Sequence, residues 1–152
     1  MSLSLKVPPA VVWLVVASLM WGIDQLIPME WLTGGVRIWI SAAAAVAGGL
    51  LGLFGILAFY SKSTTINPHK PENTDVLVTE GVYRLSRNPM YLGLLLVLVA
   101  MGIYLGNPLT AVGWILFVGY MNCFQIRPEE QKMAQKFGKV YQQYQEKVNR
   151  WI

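Results

Sequence analysis

Charged residues are missing from three long stretches of the chain, and between those stretches the polar positions are bunched rather than periodic. Ile38 to Tyr60 holds 23 residues without a charge, which as a helix spans roughly 34 Å and crosses a hydrocarbon core of about 30 Å. A first apolar segment runs from about Pro9 to Ile27, with Pro8 and Pro9 at its start, Asp24 near its far end and Pro28 closing it. From Asn88 to Ile126 there is again no charge, and the stretch is too long for one crossing. Gly106-Asn107-Pro108 is a turn signal within it, so the pattern predicts a short helix over Met90 to Leu105 and another over Leu109 to Ile126. The expected fold is an all-α integral membrane protein of about four transmembrane helices, the second pair a tight hairpin.

Two polar regions remain, the loop from Ser61 to Arg87 and the tail from Arg127 onward. In the tail, Met133, Phe137, Tyr141, Tyr144 and Val148 recur every three to four residues opposite Lys132, Lys136, Lys139 and Glu146, which predicts one amphipathic helix lying against the bundle or the headgroups. Pro128 suits its first turn, where Glu129 and Glu130 would meet the positive end of the helix dipole. The expected organisation is one membrane domain over 1–152, with two N-terminal helices in 1–60, then the loop, hairpin and C-terminal helix in 61–152.

The composition agrees, with 55% hydrophobic and 13% charged residues, where a soluble domain carries about a quarter charged. Of the twelve Lys and Arg, all but Arg37 fall on the side shared by the N-terminus, the loop and the tail. The positive-inside rule then puts both termini and both polar regions in the cytoplasm, as in a prokaryotic cytoplasmic membrane. The net charge of +4 flanks membrane segments, so anionic headgroups explain it and no nucleic acid is expected. The first apolar run exceeds a signal-peptide core and lacks a small-x-small cleavage site, so it reads as an anchor. Cys123 is the single cysteine and His69 the single histidine, which leaves no metal-ligand cluster.

The loop before the hairpin gathers His69, Asp75, Tyr83, Arg84, Arg87, Asn88 and Tyr91 at the membrane face, opposite Glu129 and Glu130 of the tail. Two readings stay open from the residues alone. One is an interfacial loop whose arginines grip phosphates and whose tyrosines mark the headgroup level; the other is a site. His69 is the one side chain that titrates near neutrality without perturbation, yet Asn67-Pro68-His69-Lys70-Pro71 is turn-forming and reads first as an exposed bend. Adjacent residues point about 100° apart on a helix, so Glu129 and Glu130 are not expected to share a proton. Asp24 sits where a helix end reaches water, and Cys123 reads as a packing residue.

The run Leu77-Val78-Thr79-Glu80-Gly81-Val82-Tyr83-Arg84-Leu85-Ser86-Arg87-Asn88-Pro89-Met90-Tyr91-Leu92-Gly93 resembles the signature of the isoprenylcysteine carboxyl methyltransferase family. Glu129-Glu130, Phe137-Gly138, Tyr141, Tyr144 and Val148 resemble its C-terminal block, and the likeness covers about Thr64 to Trp151. The resemblance implies S-adenosylmethionine as cofactor in a cytoplasmic pocket roofed by the loop and the C-terminal helix, and a lipophilic small-molecule or lipid substrate. Carried over by position, Asp75, Val76, Leu77 and Val78 would line the cofactor, Tyr83 would contact it, and Asn88, Pro89, Met90 and Tyr91 would wall it. Glu129 would hold its amino group, His69 is a further cofactor-side candidate, and Arg127 and Glu130 are candidates for the substrate side. A sulfonium cation suits tyrosine faces and a carboxylate.

Two departures widen the acceptor class. Eukaryotic members have histidine at the position of Asn88, whose amide cannot titrate. They also tend to have arginine at the position of Gln125, and Arg127 lies about 200° around the helix from it. The acceptor is therefore left as a carboxylate, a thiol or an amine. Competing readings are a four-helix transporter working as a dimer, which would need a carboxylate within a span and has Asp24 as the only candidate, and a reductase related to the sterol reductases, which are much longer.

Overall fold

A computed structural model describes residues 5–31, 34–61 and 76–152. Among them every regular element is helical: α1 (Pro9–Leu26), α2 (Gly35–Ser61), α3 (Pro89–Leu105), α4 (Ala111–Tyr120), α5 (Arg127–Phe137) and α6 (Lys139–Lys147). Short 3-10 turns, Gly81–Arg84 and Pro108–Thr110, introduce α3 and α4. The all-α membrane fold expected from the pattern is borne out.

Among the described residues, three helical stretches are long and apolar enough to cross a bilayer: α1, α2 and the continuous run Pro108–Phe137. The fourth expected crossing, α3, has 17 residues. It reaches about 26 Å, the short limit for a span. Gly106 at φ 72 ends it, its N–H donating to the Gly102 and Ile103 carbonyls.

Glycine decides how closely α2 and α3 approach. A Cβ on Gly93 would lie 2.6 Å from the Gly48 carbonyl oxygen and 2.8 Å from the Gly52 nitrogen. With side chains absent the two backbones touch, which is how helices associate where lipid removes the hydrophobic drive. The pair is antiparallel, since Gly55 of α2 meets Met90 of α3 while Gly48 meets Val97.

On the other side α1 lies antiparallel to α4. Met20, with no exposed surface, fills the space over Gly113, and Val12, Val16, Tyr91, Leu98, Phe117, Met121 and Ile126 complete the core. The indole N–H groups of Trp13 and Trp114 donate to the Leu94 and Leu98 carbonyls of α3, at 3.0 and 3.1 Å. Asn107 knots the end of the bundle near the helix hairpin. Its amide donates to the Ile27 carbonyl at 2.8 Å and to Asp24 at 3.3 Å, and its side-chain oxygen accepts from Leu109 N–H. Asp24, near the end of α1, thus accepts from Asn107 across the bundle and from the neighbouring Gln25.

Two expectations are corrected. The tail does not begin a new helix at Arg127: α4 continues through a wide π-helical segment, Met121–Ile126, directly into α5. Glu129 and Glu130 therefore do not sit at a free helix N-terminus. Pro128 has no N–H to offer the Phe124 carbonyl, and that carbonyl accepts instead from Leu5 N–H at 2.9 Å. The amphipathic tail is also not one helix, because Gly138 at φ 51 breaks it into α5 and α6. The turn lets α6 fold back, burying Tyr141 and Tyr144, whereas Met133 and Phe137 stay partly exposed.

Candidate functional site

The helix run Pro108–Phe137 is 30 residues, about 45 Å, so it overshoots a hydrocarbon core of about 30 Å. Its charges, from Arg127 onward, lie on the overshooting end, level with the start of α3. Tyr91, two residues into α3 and 6% exposed, donates its hydroxyl to Glu129 Oε1 at 2.7 Å. Oε2 of Glu129 has no donor among the described residues.

Glu130 belongs to a different network, as the 100° offset requires. It bridges two arginines, accepting from Arg87 Nη2 at 2.7 Å and from Arg150 Nε at 3.2 Å and Nη2 at 2.5 Å. Arg87 also gives Nη1 to the Gln145 and Val148 carbonyls at 3.1 and 2.8 Å, using the fork that lysine lacks. Beside it, Ser86 Oγ and Asn88 Nδ2 both donate to the Arg150 carbonyl, at 3.2 and 3.0 Å. Ser86 to Asn88 thus hold the end of the chain like a clasp.

The clasp brings α6 over the site. Tyr144 donates its hydroxyl to the Tyr83 carbonyl at 2.6 Å, and Tyr83 packs edge-on against Phe59 of α2 with ring centroids 5.5 Å apart. Burial pushes the Tyr144 phenol up to about 12, although Arg87 pulls the other way. Tyr83 and Tyr141 are pushed higher, first by burial and then by neighbouring charge, from Tyr144 and Glu129 for Tyr83 and chiefly from Glu130 for Tyr141. Glu130 in turn holds Arg150 above the usual guanidinium range through their hydrogen bond. These phenols stay protonated and neutral, and Tyr83 and Tyr141 lie within electrostatic reach of Glu129, aromatic surroundings that suit an organic cation.

An apolar crevice of about 560 Å³ opens between the start of α1 and the facing surfaces of α2 and α3. Pro8, Pro9, Gly49, Gly52, Leu53 and Tyr91 are among its walls. Tyr91 alone belongs both to the crevice and to the Glu129 contact.

The sequence-named residues are distributed unevenly around this arrangement. Tyr83, Tyr91 and Glu129 come together, Val78 and Pro89 are buried beside them in the chain, and Met90 packs on Gly55. Val76 is exposed and Leu77 half-buried. Asn88 spends its side-chain amide on the Arg150 carbonyl, and Glu130 is committed to the arginine bridge rather than solvated. Arg127 is exposed. Gln125 is buried, donates to the Val7 carbonyl at 2.8 Å and leaves Oε1 without a partner, so it ties down the strap before α1. Asp75 and His69 lie outside the described residues. Arg150 and the role of Ser86 carry no periodic signal in the sequence, and neither does the crevice, whose walls come from three helices at once.

The pattern of the family described as phospholipid methyltransferase matches residues 36–140. An uncharacterized protein of Haemophilus influenzae is 48% identical over 63 residues, 41% of this chain and 100% of that protein. The protein-S-isoprenylcysteine O-methyltransferase B of Arabidopsis thaliana is 31% identical over 113 residues, covering 72% of this chain and 57% of its own length. A probable protein-S-isoprenylcysteine O-methyltransferase of Oryza sativa subsp. indica is 38% identical over 78 residues, 51% of this chain and 41% of that protein. The chain thus spans only about half the length of these two plant relatives. No solved structure matches it significantly. With most of the chain inside the family's pattern and apolar helices on either side of the polar site, this membrane protein belongs to the phospholipid methyltransferase family and is isoprenylcysteine methyltransferase-like.

Proposed function

We propose that this protein transfers a methyl group from S-adenosylmethionine to a lipophilic acceptor held in the crevice. The observation that carries this reading is Tyr91, whose ring lines the apolar crevice while its hydroxyl holds Glu129. It joins a place for hydrocarbon to a place for a cation.

The residues present fit the donor. Glu129 keeps one carboxylate oxygen without a donor among the described residues, suited to an ammonium group, and Tyr83 and Tyr91 supply aromatic surface for a positive sulfur. When bound, the donor supplies an electrophilic methyl that moves in line to the acceptor as the sulfonium becomes a neutral thioether. The chain's share is positioning and exclusion of water. The Arg87, Glu130 and Arg150 bridge holds α6 down over the site, Tyr91 orients Glu129, and the crevice presents the acceptor from the bilayer side. A carboxylate or thiolate acceptor needs no base; an amine must arrive deprotonated. The excess of Lys and Arg on the site's side supports a cytoplasmic site.

The test is calorimetric titration of the detergent-purified protein with S-adenosylmethionine and S-adenosylhomocysteine, with NADPH as control. Methyl transfer to N-acetyl-S-farnesylcysteine and to phosphatidylethanolamine vesicles is followed with labelled donor. Saturable binding of the donor and of its demethylated product is expected. A folded protein that ignores both overturns the reading, and binding of NADPH instead redirects it to reductase chemistry.

A further inference from the structure

Helix α2 carries glycines with two different purposes. Gly48 and Gly55 face α3, where an added Cβ would come within 2.7 and 2.8 Å of α3 atoms. Gly49 and Gly52 meet nothing within 4 Å of an added Cβ, yet both line the crevice, in register with Leu53 and Ile56 at helical spacing. Close packing explains the first pair and leaves the second without a packing reason. Each glycine in a helix interior costs about 1 kcal/mol against alanine, so two at open positions on one wall call for another cause.

We infer that Gly49 and Gly52 keep the crevice deep, and that these two positions set how much hydrocarbon chain the acceptor can place there. The inference rests on the crevice being the acceptor's site. Tyr91 lines the crevice and holds Glu129 with its hydroxyl, so a chain lying along α2 would have its polar head toward the donor. A Cβ at either position meets no protein atom within 4 Å, so a leucine there starts without a clash and fills the crevice from its wall, shortening the chain it can hold. The excluded length falls on long acceptors first. Losing room for two methylenes is worth roughly tenfold in KM.

The experiment uses the full chain in nanodiscs and a photoactivatable diazirine analogue of N-acetyl-S-geranylgeranylcysteine as probe, with crosslinked residues read by mass spectrometry. In the wild type, crosslinks are expected on Leu53, Ile56 and Val97. Gly49→Leu and Gly52→Leu should lose them about tenfold, while Gly35→Leu, at an open position off the crevice, keeps them. Gly49→Ala and Gly52→Ala report that the fold tolerates substitution. Methyl transfer is followed in parallel with farnesyl and geranylgeranyl acceptors, and the leucine variants should raise KM more for the longer chain. Crevice crosslinks that respond to the leucines without any methyl transfer would support the chain site and retire the methyl-transfer reading. Methyl transfer with no crevice crosslinks, or with leucine variants that behave as wild type, overturns the inference.

Discussion

Glu129→Gln isolates the charge at the heart of the site while keeping its shape. The amide oxygen can still accept from Tyr91, whose hydroxyl lies 2.7 Å from Glu129 Oε1; burial pushes the Glu129 carboxyl up to about 8, so the substitution keeps the shape and removes the negative charge that a bound cation would draw out. A hydrogen bond to a charged group is worth about 1.5–3 kcal/mol, and a donor ammonium on Glu129 would lose that much, roughly 10- to 150-fold in Kd. Tyr91→Phe should cost less, about fivefold, because the carboxylate remains but loses its orienting donor. If Tyr91 acts through Glu129, the double variant should fall short of the product of the two effects, a coupling that a mutant cycle reads directly. The assay is calorimetric titration with S-adenosylhomocysteine and S-adenosylmethionine, with Glu146→Gln on the exposed face of α6 as reference. A Kd for Glu129→Gln within threefold of that reference would falsify the assignment of Glu129 to the donor.

The other expectations concern what holds the site together. Arg87→Lys removes the forked contacts to Gln145, Val148 and Glu130; it should destabilise by about 2–4 kcal/mol, seen as a lower thermal midpoint in detergent and faster proteolysis near Lys147. Gly93→Ala forces a Cβ to 2.6 Å from the Gly48 carbonyl and should cost about 1–3 kcal/mol, whereas Gly49→Ala, which meets nothing, should be neutral or slightly stabilising; equal midpoints for the two would refute the close-contact account of α2 and α3. Tyr144 ionises near 10 in the unfolded chain but is held up to about 12 in the folded one. The folded state keeps that proton longer, so stability is full below about pH 10 and falls as pH rises toward 12. Midpoints measured across that window should fall less steeply in Tyr144→Phe.

The apolar runs determined by themselves that this chain is a membrane-embedded helical protein, because a charge-free stretch of 23 residues has few other solvents. They also located the hairpin turn at Asn107 and the two polar regions that meet at one end. The motif from Leu77 to Gly93 and the block from Glu129 named the family before any contact was visible. That Glu129 and Glu130 would part company also followed from helical geometry alone.

What the sequence could not contain was which distant groups would satisfy one another. Pro128 looked like a helix start, and only the packed chain supplies Leu5 as the donor that lets the helix run through it. Arg150 and Glu130 are 20 residues apart, and their bridge to Arg87 exists because Gly138 turns α6 back over the loop. The two glycine pairs of α2 are alike in sequence, and they acquire different roles only once α3 closes on the Cβ positions of Gly48 and Gly55 and leaves those of Gly49 and Gly52 open. Periodicity is a property of one helix, but satisfaction of polar groups and the placing of empty space are properties of several helices at once, so tertiary structure decided them.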